Sequence, residues 1–386
     1  KIINRLIDVI ARRPGPRDTP RRSVTKGVCS MNDWLASDLM TDAQKLALGG
    51  FAVGLLFGFC AQKSRFCLRS ACIEFWRGAL DEKFAVWLLV FGAALAGVQA
   101  LVLTGNLPVQ GIRQLETPGT LSGAVIGGLM FGIGMILARG CASRVLVLAG
   151  TGNVRALVTG LVVTVAAQSS LSGILSPLRV KLSALWIVSA FDRNLMLHLP
   201  VGTGLVVGAA FVALAIWFFR RKKVSLLTGV TGAGVGLSVV LGWAFTSALA
   251  RASFDIVPVG SVTFTGPSAD TLMVLITKPA VELNFGVGLV PGVFLGSMLS
   301  AFLFREFAVQ TFSGETGTVR YLVGAVLMGF GGMLAGGCAV GAGITGGAVL
   351  ALTAWVALFC MWVGAGLAIL MVEPGFRASL GKTGPR

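Results

Sequence analysis

An apolar, glycine-spaced run that breaks at a single cysteine occurs twice in this chain. No other feature narrows the possible folds as much. The first copy is Met135-Ile136-Leu137-Ala138-Arg139-Gly140-Cys141-Ala142-Ser143-Arg144, and the second is Met333-Leu334-Ala335-Gly336-Gly337-Cys338-Ala339-Val340-Gly341. Upstream the match continues, with Gly123-Ala124-Val125 answered by Gly324-Ala325-Val326. A helix that is apolar on every side offers water no polar face, so it belongs inside a core or a bilayer. Crossing roughly 30 Å of hydrocarbon takes about 20 helical residues, the length of these runs.

Composition decides for the bilayer. The chain of 386 residues is 55% hydrophobic and 12% charged, with a mean hydropathy of +0.85. Its 53 glycines are too many for soluble helices, whereas in lipid small residues let helix backbones approach. The net charge of +16 lies in the tails and between apolar runs rather than on one polar face, which excludes a nucleic-acid partner and makes the lipid bilayer the expected one. Seven cysteines stand at 29, 60, 67, 72, 141, 338 and 360, none in a CxxC pair, and His198 is the single histidine. No metal site or other cofactor is implied, and sulfurs in or beside apolar runs do not make an extracellular disulfide framework.

The expected fold is an all-α polytopic membrane protein. Its nine transmembrane helices cover 45–61, 84–104, 120–138, 154–173, 201–219, 226–246, 282–304, 319–336 and 348–372. The segments 62–83, 139–153, 247–281 and 337–347 are too polar or glycine-rich to span, yet too apolar for simple loops. Parts of them read as short re-entrant helices or loops, because non-helical backbone is tolerated at membrane depth only against protein or a wet cavity. Residues 1–44 read as a basic disordered tail and lead-in. Within them, 1–30 are expected to lie outside the working protein, because Met31-Asn32-Asp33-Trp34 makes a plausible start and no signal-peptide core follows the charges.

The third span matches the eighth, five spans on, and an odd step reverses the direction of crossing. The first span is weakly echoed by the sixth. Two inverted-repeat halves are therefore expected, 45–173 and 226–372, joined by a linker and fifth span at 174–225 and followed by a cytoplasmic tail at 373–386. With the amino end outside and the carboxyl end inside, the inner segments hold 17 Lys and Arg and the outer ones after Met31 hold 7, as the positive-inside rule requires. Counting residues 1–30 would erase that preference.

The chemistry points to the cysteines. Cys141 and Cys338 each follow a glycine, Gly140 and Gly337, where a backbone that must break wants freedom. New helices near Asn153-Val154 and Gly347-Ala348 are expected to turn amide N–H groups inward, favouring an anion without a bare lysine to trap it. Cys67 lies among Gln62-Lys63-Ser64-Arg65-Phe66-Cys67-Leu68-Arg69-Ser70, where Arg65 and its neighbours draw anions. Arg139, where the second copy has Gly336, either attracts the anion at one mouth or snorkels to the surface. Cys60, Cys72 and Cys360 read as packing residues, as do Gln168 and Glu282. The run Arg220-Arg221-Lys222-Lys223 reads as a cytoplasmic stop and His198 as an interface residue.

Ser64-Arg65-Phe66-Cys67, Gly140-Cys141-Ala142-Ser143 and Gly336-Gly337-Cys338, in that order, resemble the YeeE/YedE family of bacterial sulfur transporters over about residues 45–372. The resemblance implies an inner-membrane importer of thiosulfate, not an enzyme, built of inverted halves with four short inward loops forming an hourglass constriction. It also implies thiosulfate handed intact between Cys67, Cys141 and Cys338, and a small SirA/TusA-like carrier accepting cargo in the cytoplasm. Arg139 departs from the family's usual Gly-Gly-Cys, and so does the long basic front end. Two other functions fit the residues: a membrane thiol oxidoreductase, and a channel or transporter for another small solute with the cysteines merely packed. A membrane scaffold fits least, since it needs no interrupted helices.

Overall fold

The computed structural model describes residues 40–253, 255–276, 283–311 and 318–372. In chain order the helices are α1 (Asp42–Ser64), α2 (Leu68–Trp76), α3 (Glu82–Leu103), α4 (Leu121–Leu137), α5 (Ala142–Gly150), α6 (Val154–Ser172), α7 (Thr203–Lys222), α8 (Leu226–Ala252), α9 (Thr265–Ile276), α10 (Phe285–Leu303), α11 (Thr318–Leu334) and α12 (Leu352–Val372). Among the described residues nine, all but α2, α5 and α9, are long and apolar enough to cross a membrane. They lie on the nine expected runs.

Local interactions explain where the ends differ. The first helix starts three residues early because Thr41 and Gln44 form a capping box, with Gln44 N–H donating to Thr41 Oγ1 at 3.3 Å and Thr41 N–H to Gln44 Oε1 at 3.1 Å. The helix α8 runs on to Ala252 because its last turns find partners outside themselves. Ser247 Oγ donates to Asn106 O at 3.0 Å and Arg251 Nη2 to Gly105 O at 2.6 Å. Residues 1–39, Glu282 and the expected tail at 373–386 lie outside the described residues.

Large apolar side chains such as Leu157, Leu161, Val206, Leu237, Leu299 and Val323 remain exposed, as a lipid-facing surface requires. The interior is held by close backbone contact. On α1, Gly50, Gly54 and Gly58 recur every fourth residue, and on α10 so do Gly288, Gly292 and Gly296. A Cβ at any of the six would run into a carbonyl of the partner helix, at Phe285, Leu289 or Val293 on one side and Ala47, Phe51 or Leu55 on the other. Between α4 and α11, Gly127 and Gly331 abut one another's carbonyls in the same way. Lipid gives helices no hydrophobic drive to associate, so van der Waals contact at such stripes carries much of the cohesion. Gly332 and Gly336, also four residues apart, form no such stripe. Gly332 meets the side chains of Thr265 and Phe131, while Gly336 has open space around it and takes φ +83.

The helix contacts come in matched pairs. The helix α1 packs on α10 as α8 packs on α3, and α4 packs on α12 as α11 packs on α6. The short α2 touches α3 and α12, as α9 touches α10 and α6. Meanwhile α1 meets α8 directly and α4 meets α11, and α7 stands outside the pattern, packed on α3.

Polar contacts tie the loops together at two ends. At one, Lys222 pairs with Asp81 at 2.6 Å, and Lys63 with Glu306 at 3.9 Å; Asn153 Nδ2 donates to Gln310 Oε1 at 2.8 Å. At the other, Ser253 donates to Asp42, Leu195 N–H to Leu350 O at 3.1 Å, and Gly119–Thr120 pairs antiparallel with Ile187–Val188. His198 belongs to this second end, where its Nδ1 lies 3.1 Å from Asn194 O and its ring edges onto Phe191.

Candidate functional site

Of the helices that close in a left-handed turn, three run from it straight into a cysteine. In a Schellman end the C′ residue is left-handed, its N–H reaches back to C2 and the next N–H reaches C3. Arg65 (φ +53) donates to Gln62 O and Phe66 to Ala61 O at the end of α1. Arg139 (φ +56) donates to Ile136 O and Gly140 to Met135 O at the end of α4. Gly336 (φ +83) donates to Met333 O and Gly337 to Gly332 O at the end of α11. In each the residue after this turn is the cysteine, and it takes the N-cap position of the next short helix: Cys67 for α2, Cys141 for α5 and Cys338 for the wide turn Ala339–Thr345.

This corrects two expectations. The left-handed residue of the first repeat copy is Arg139, not Gly140, whose added Cβ would meet only Val145 Cγ2 at 3.0 Å. A non-glycine residue costs about 1–2 kcal/mol in that conformation. Gly337 is required for another reason, since a Cβ there would lie 2.7 Å from Ala342 N. Second, the helix starts beside the sulfurs are those of α2, α5 and Ala339–Thr345, rather than those near Val154 and Gly347. The partial positive charge of unpaired first-turn amides thus falls directly on the cysteine positions.

The three thiols are turned differently. Cys338 Sγ accepts from Gly341 N–H at 3.4 Å, so it caps its own turn. Cys67 and Cys141 make no comparable cap bond, although the backbone amides of Ser70 and Arg144 lie near their sulfurs. Their side chains lie near enough to each other to interact, and Cys141 Sγ lies 3.4 Å from Ser143 Oγ. The structure therefore joins Cys67 and Cys141 into one site. Among the described residues no hydrogen bond joins Cys338 to either, although all three are buried in the same core.

The cations around this pair are partly those expected, Arg69 among them, while Arg65 lies near Arg144 rather than Cys67. Arg65 is exposed, and the guanidinium groups close enough to act on Cys67 belong to Arg144 and Arg69. Arg144 is the residue that sequence reasoning passed over. It lies one turn into α5 and acts on both thiols, while its Nη1 donates to Gln62 Oε1 at 3.2 Å and Ala61 O at 3.4 Å. Gln62, buried at 6% exposure, passes the link on through Nε2 to Glu306 Oε2 at 3.0 Å. A chain of polar groups thus runs from the thiol pair to the surface at the Lys63–Glu306 end. The spacing of Cys141 and Arg144, three apart on one helix, was the available signal; that both face Cys67 and Gln62, some 80 residues earlier, was not readable.

The remaining cysteines among the described residues pack. Cys60 Sγ fills the space over Gly234, Cys360 Cβ lies over Gly128, and Cys72 is fully buried. Cys72 nevertheless lies near enough to Cys67 to interact with it electrostatically. Gln168 bonds within its own helix, Nε2 to Ser172 Oγ at 2.9 Å.

The family model described as sulphur transport matches residues 63–367, which contain all three breaks. The chain belongs to the sulphur transport family. A protein of Escherichia coli (strain K12) named thiosulfate transporter TsuA is 30% identical over 359 residues, covering 87% of this chain and 97% of its own. A second thiosulfate transporter TsuA, from Spirochaeta thermophila, is 31% identical over 328 residues, covering 80% of this chain and 93% of its own. Family and helices together establish a multi-pass membrane protein with a transport role rather than a catalytic one.

Proposed function

We propose that this protein imports thiosulfate, and that the Cys67–Cys141 pair with Arg144 beside it is where the ion is held. The observation that carries this reading is the pair itself: two buried thiols from different helix breaks, both at helix N-termini and beside a buried guanidinium. A thiol is a weak donor and the terminal sulfur of thiosulfate a large, soft acceptor, so contacts are strong enough to select and weak enough to release. Sulfate has no soft sulfur to offer. The helix N-termini and Arg144 offset the anion's charge in a low-dielectric setting. Cys338 supplies a third sulfur, so the ion passes through a cysteine-lined constriction without being broken.

The matched helix contacts support two inverted halves, 45–173 and 226–372, around α7. The cationic end then faces the cytoplasm by the positive-inside rule, in the inner membrane of a bacterium, with the amino end outside. A small SirA/TusA-like carrier accepts the cargo on that side. The named relatives, both thiosulfate transporters, favour this substrate over another small solute. Close thiols are also what a membrane thiol oxidoreductase would need, so the test must separate the two. Radiolabelled thiosulfate uptake into proteoliposomes, competed with sulfate, is expected to be saturable, sulfate-insensitive and independent of added oxidant. Uptake retained in Cys67→Ser/Cys141→Ser would overturn the thiol assignment, and disulfide cycling with a quinone in place of uptake would favour the oxidoreductase.

A further inference from the structure

The break that leads into α9 carries hydroxyls where those at Cys67, Cys141 and Cys338 carry a thiol. Its backbone is fixed from α8 and from the turn after Cys338. Thr246 Oγ1 donates to Gly260 O at 2.7 Å, Ser261 Oγ to Val239 O at 2.6 Å and Thr345 Oγ1 to Val262 O at 2.6 Å. The two threonines that follow, Thr263 and Thr265, stand against the break that carries Cys338. Thr263 lies over Gly341, whose N–H donates to Cys338 Sγ, so closely that a Cβ on Gly341 would collide with its hydroxyl. Thr265 lies over Gly332, whose carbonyl closes the turn before Cys338; an added Cβ there would come 3.0 Å from Thr265 Cγ2 and 3.4 Å from its Oγ1. Thr265 Oγ1 is buried and has no hydrogen-bond partner. A threonine inside a helix satisfies its hydroxyl on a carbonyl one turn back, as Thr271 does on Pro267 O at 2.7 Å in the same helix. As the first residue of α9, Thr265 has no such carbonyl behind it. A buried hydroxyl left in that state is unfavourable until something accepts its proton.

We propose that Thr263 and Thr265 hold the oxygens of thiosulfate while Cys338 holds its terminal sulfur, which makes this break a second station for the ion. The inference rests on the reading that thiosulfate is the cargo, and adds to the thiol pair a place where both ends of the ion are read. A hydroxyl donates well to a hard oxygen, and a thiol, the weaker donor, suits the soft sulfur. Neutral donors orient the dianion without trapping it, which suits conduction through several weak sites. Sulfate satisfies the hydroxyls but gives the thiol no soft acceptor, so the station favours thiosulfate over sulfate.

The variant Cys67→Ser/Cys141→Ser isolates this station. Equilibrium binding of radiolabelled thiosulfate to that full chain in phosphatidylcholine nanodiscs is expected to saturate at one per chain. Adding Thr263→Val/Thr265→Val removes both hydroxyls and is expected to weaken binding about tenfold, whereas Thr263→Ser/Thr265→Ser restores the donors and recovers most of the affinity. Thr265→Val alone should leave the melting temperature unchanged or raise it, because a methyl group replaces an unpartnered hydroxyl. A residue that only packs would not lose affinity while its melt stays level. Should the cysteine variant fail to fold, the same valines in the wild-type chain are expected to raise the KM for thiosulfate uptake about tenfold with kcat little changed. Absence of saturable binding in a folded Cys67→Ser/Cys141→Ser chain, or affinity and KM unchanged by the valines, overturns the proposal. The thiol-pair assignment fails by a different result, uptake retained in Cys67→Ser/Cys141→Ser, and the valine comparison stays readable in that case.

Discussion

Replacing Gly292 by alanine tests how the paired glycine stripes of α1 and α10 set the thiol site. The added Cβ would overlap the Phe51 carbonyl and lie 3.0 Å from Phe51 Cα. An ordinary carbon–oxygen contact needs about 3.3–3.6 Å, so α1 must retreat by roughly 1 Å. Overpacking of this kind costs about 1–3 kcal/mol, and alanine's advantage over glycine inside a helix returns about 1 kcal/mol. A net loss of roughly 0–2 kcal/mol is expected, rising in Gly54→Ala/Gly292→Ala, because Gly54 meets the Leu289 carbonyl on the same seam. The functional loss should exceed the loss of stability. The break at Arg65 hangs from the end of α1, so displacing that helix displaces Cys67 from Cys141; misplacing reacting groups by about 1 Å costs on the order of a hundredfold in enzymes. Gly266→Ala is the control, since Gly266 lies on α9 with nothing within 4 Å of an added Cβ. Thermal melting of the detergent-solubilised protein and thiosulfate uptake into proteoliposomes read the two effects separately. Wild-type melting and uptake in Gly54→Ala/Gly292→Ala, or damage from Gly266→Ala as large as from Gly292→Ala, would refute the reasoning.

Alanine at Cys67, Cys141 or Cys338 is expected to abolish growth on thiosulfate as sole sulfur source at normal expression, whereas Cys60→Ala and Cys360→Ala should grow normally. Arg144→Gln should cut uptake about tenfold or more, with Arg144→Lys retaining part of it; equal uptake in all three proteins would remove the guanidinium from the site. Gln62→Leu severs Arg144 from Glu306 and leaves buried donors without their acceptor, which costs about 1–3 kcal/mol; a lowered melting temperature with reduced uptake checks it. Thiosulfate should protect Cys67 and Cys141 from a membrane-permeant thiol reagent, read by mass spectrometry, and sulfate should not.

The nine helices were legible because lipid imposes one simple rule: about 20 apolar residues in a row, whatever the tertiary context. The breaks were legible too, as cysteines ending glycine-rich runs. Their stereochemistry was not. Glycines mark left-handed turns, so Gly140 drew attention, yet the Schellman register puts the positive φ one residue earlier on Arg139. Gly50, Gly54 and Gly58 repeat visibly at four-residue spacing, but nothing local says that they meet α10. The same limit hid Arg144, whose meaning depends on Gln62 and Cys67 across the fold. Arg65 was chosen for nearness in sequence; it is exposed, and its charge acts on Arg144 rather than on Cys67.

Where Cys67 takes the N-cap position before α2, the matching position before α9 is held by Phe264, whose ring lies 5.0 Å from that of Phe57. A frame whose helix contacts repeat almost as a mirror therefore carries unlike fittings: paired sulfurs beside arginines at one approach, a lone sulfur and a phenyl ring at the other. A traveller meets a different sequence of handholds depending on which door it enters. Under equal and opposite gradients the two fluxes are expected to differ, which uptake and efflux in proteoliposomes of one orientation would read, even though the skeleton is nearly even-handed.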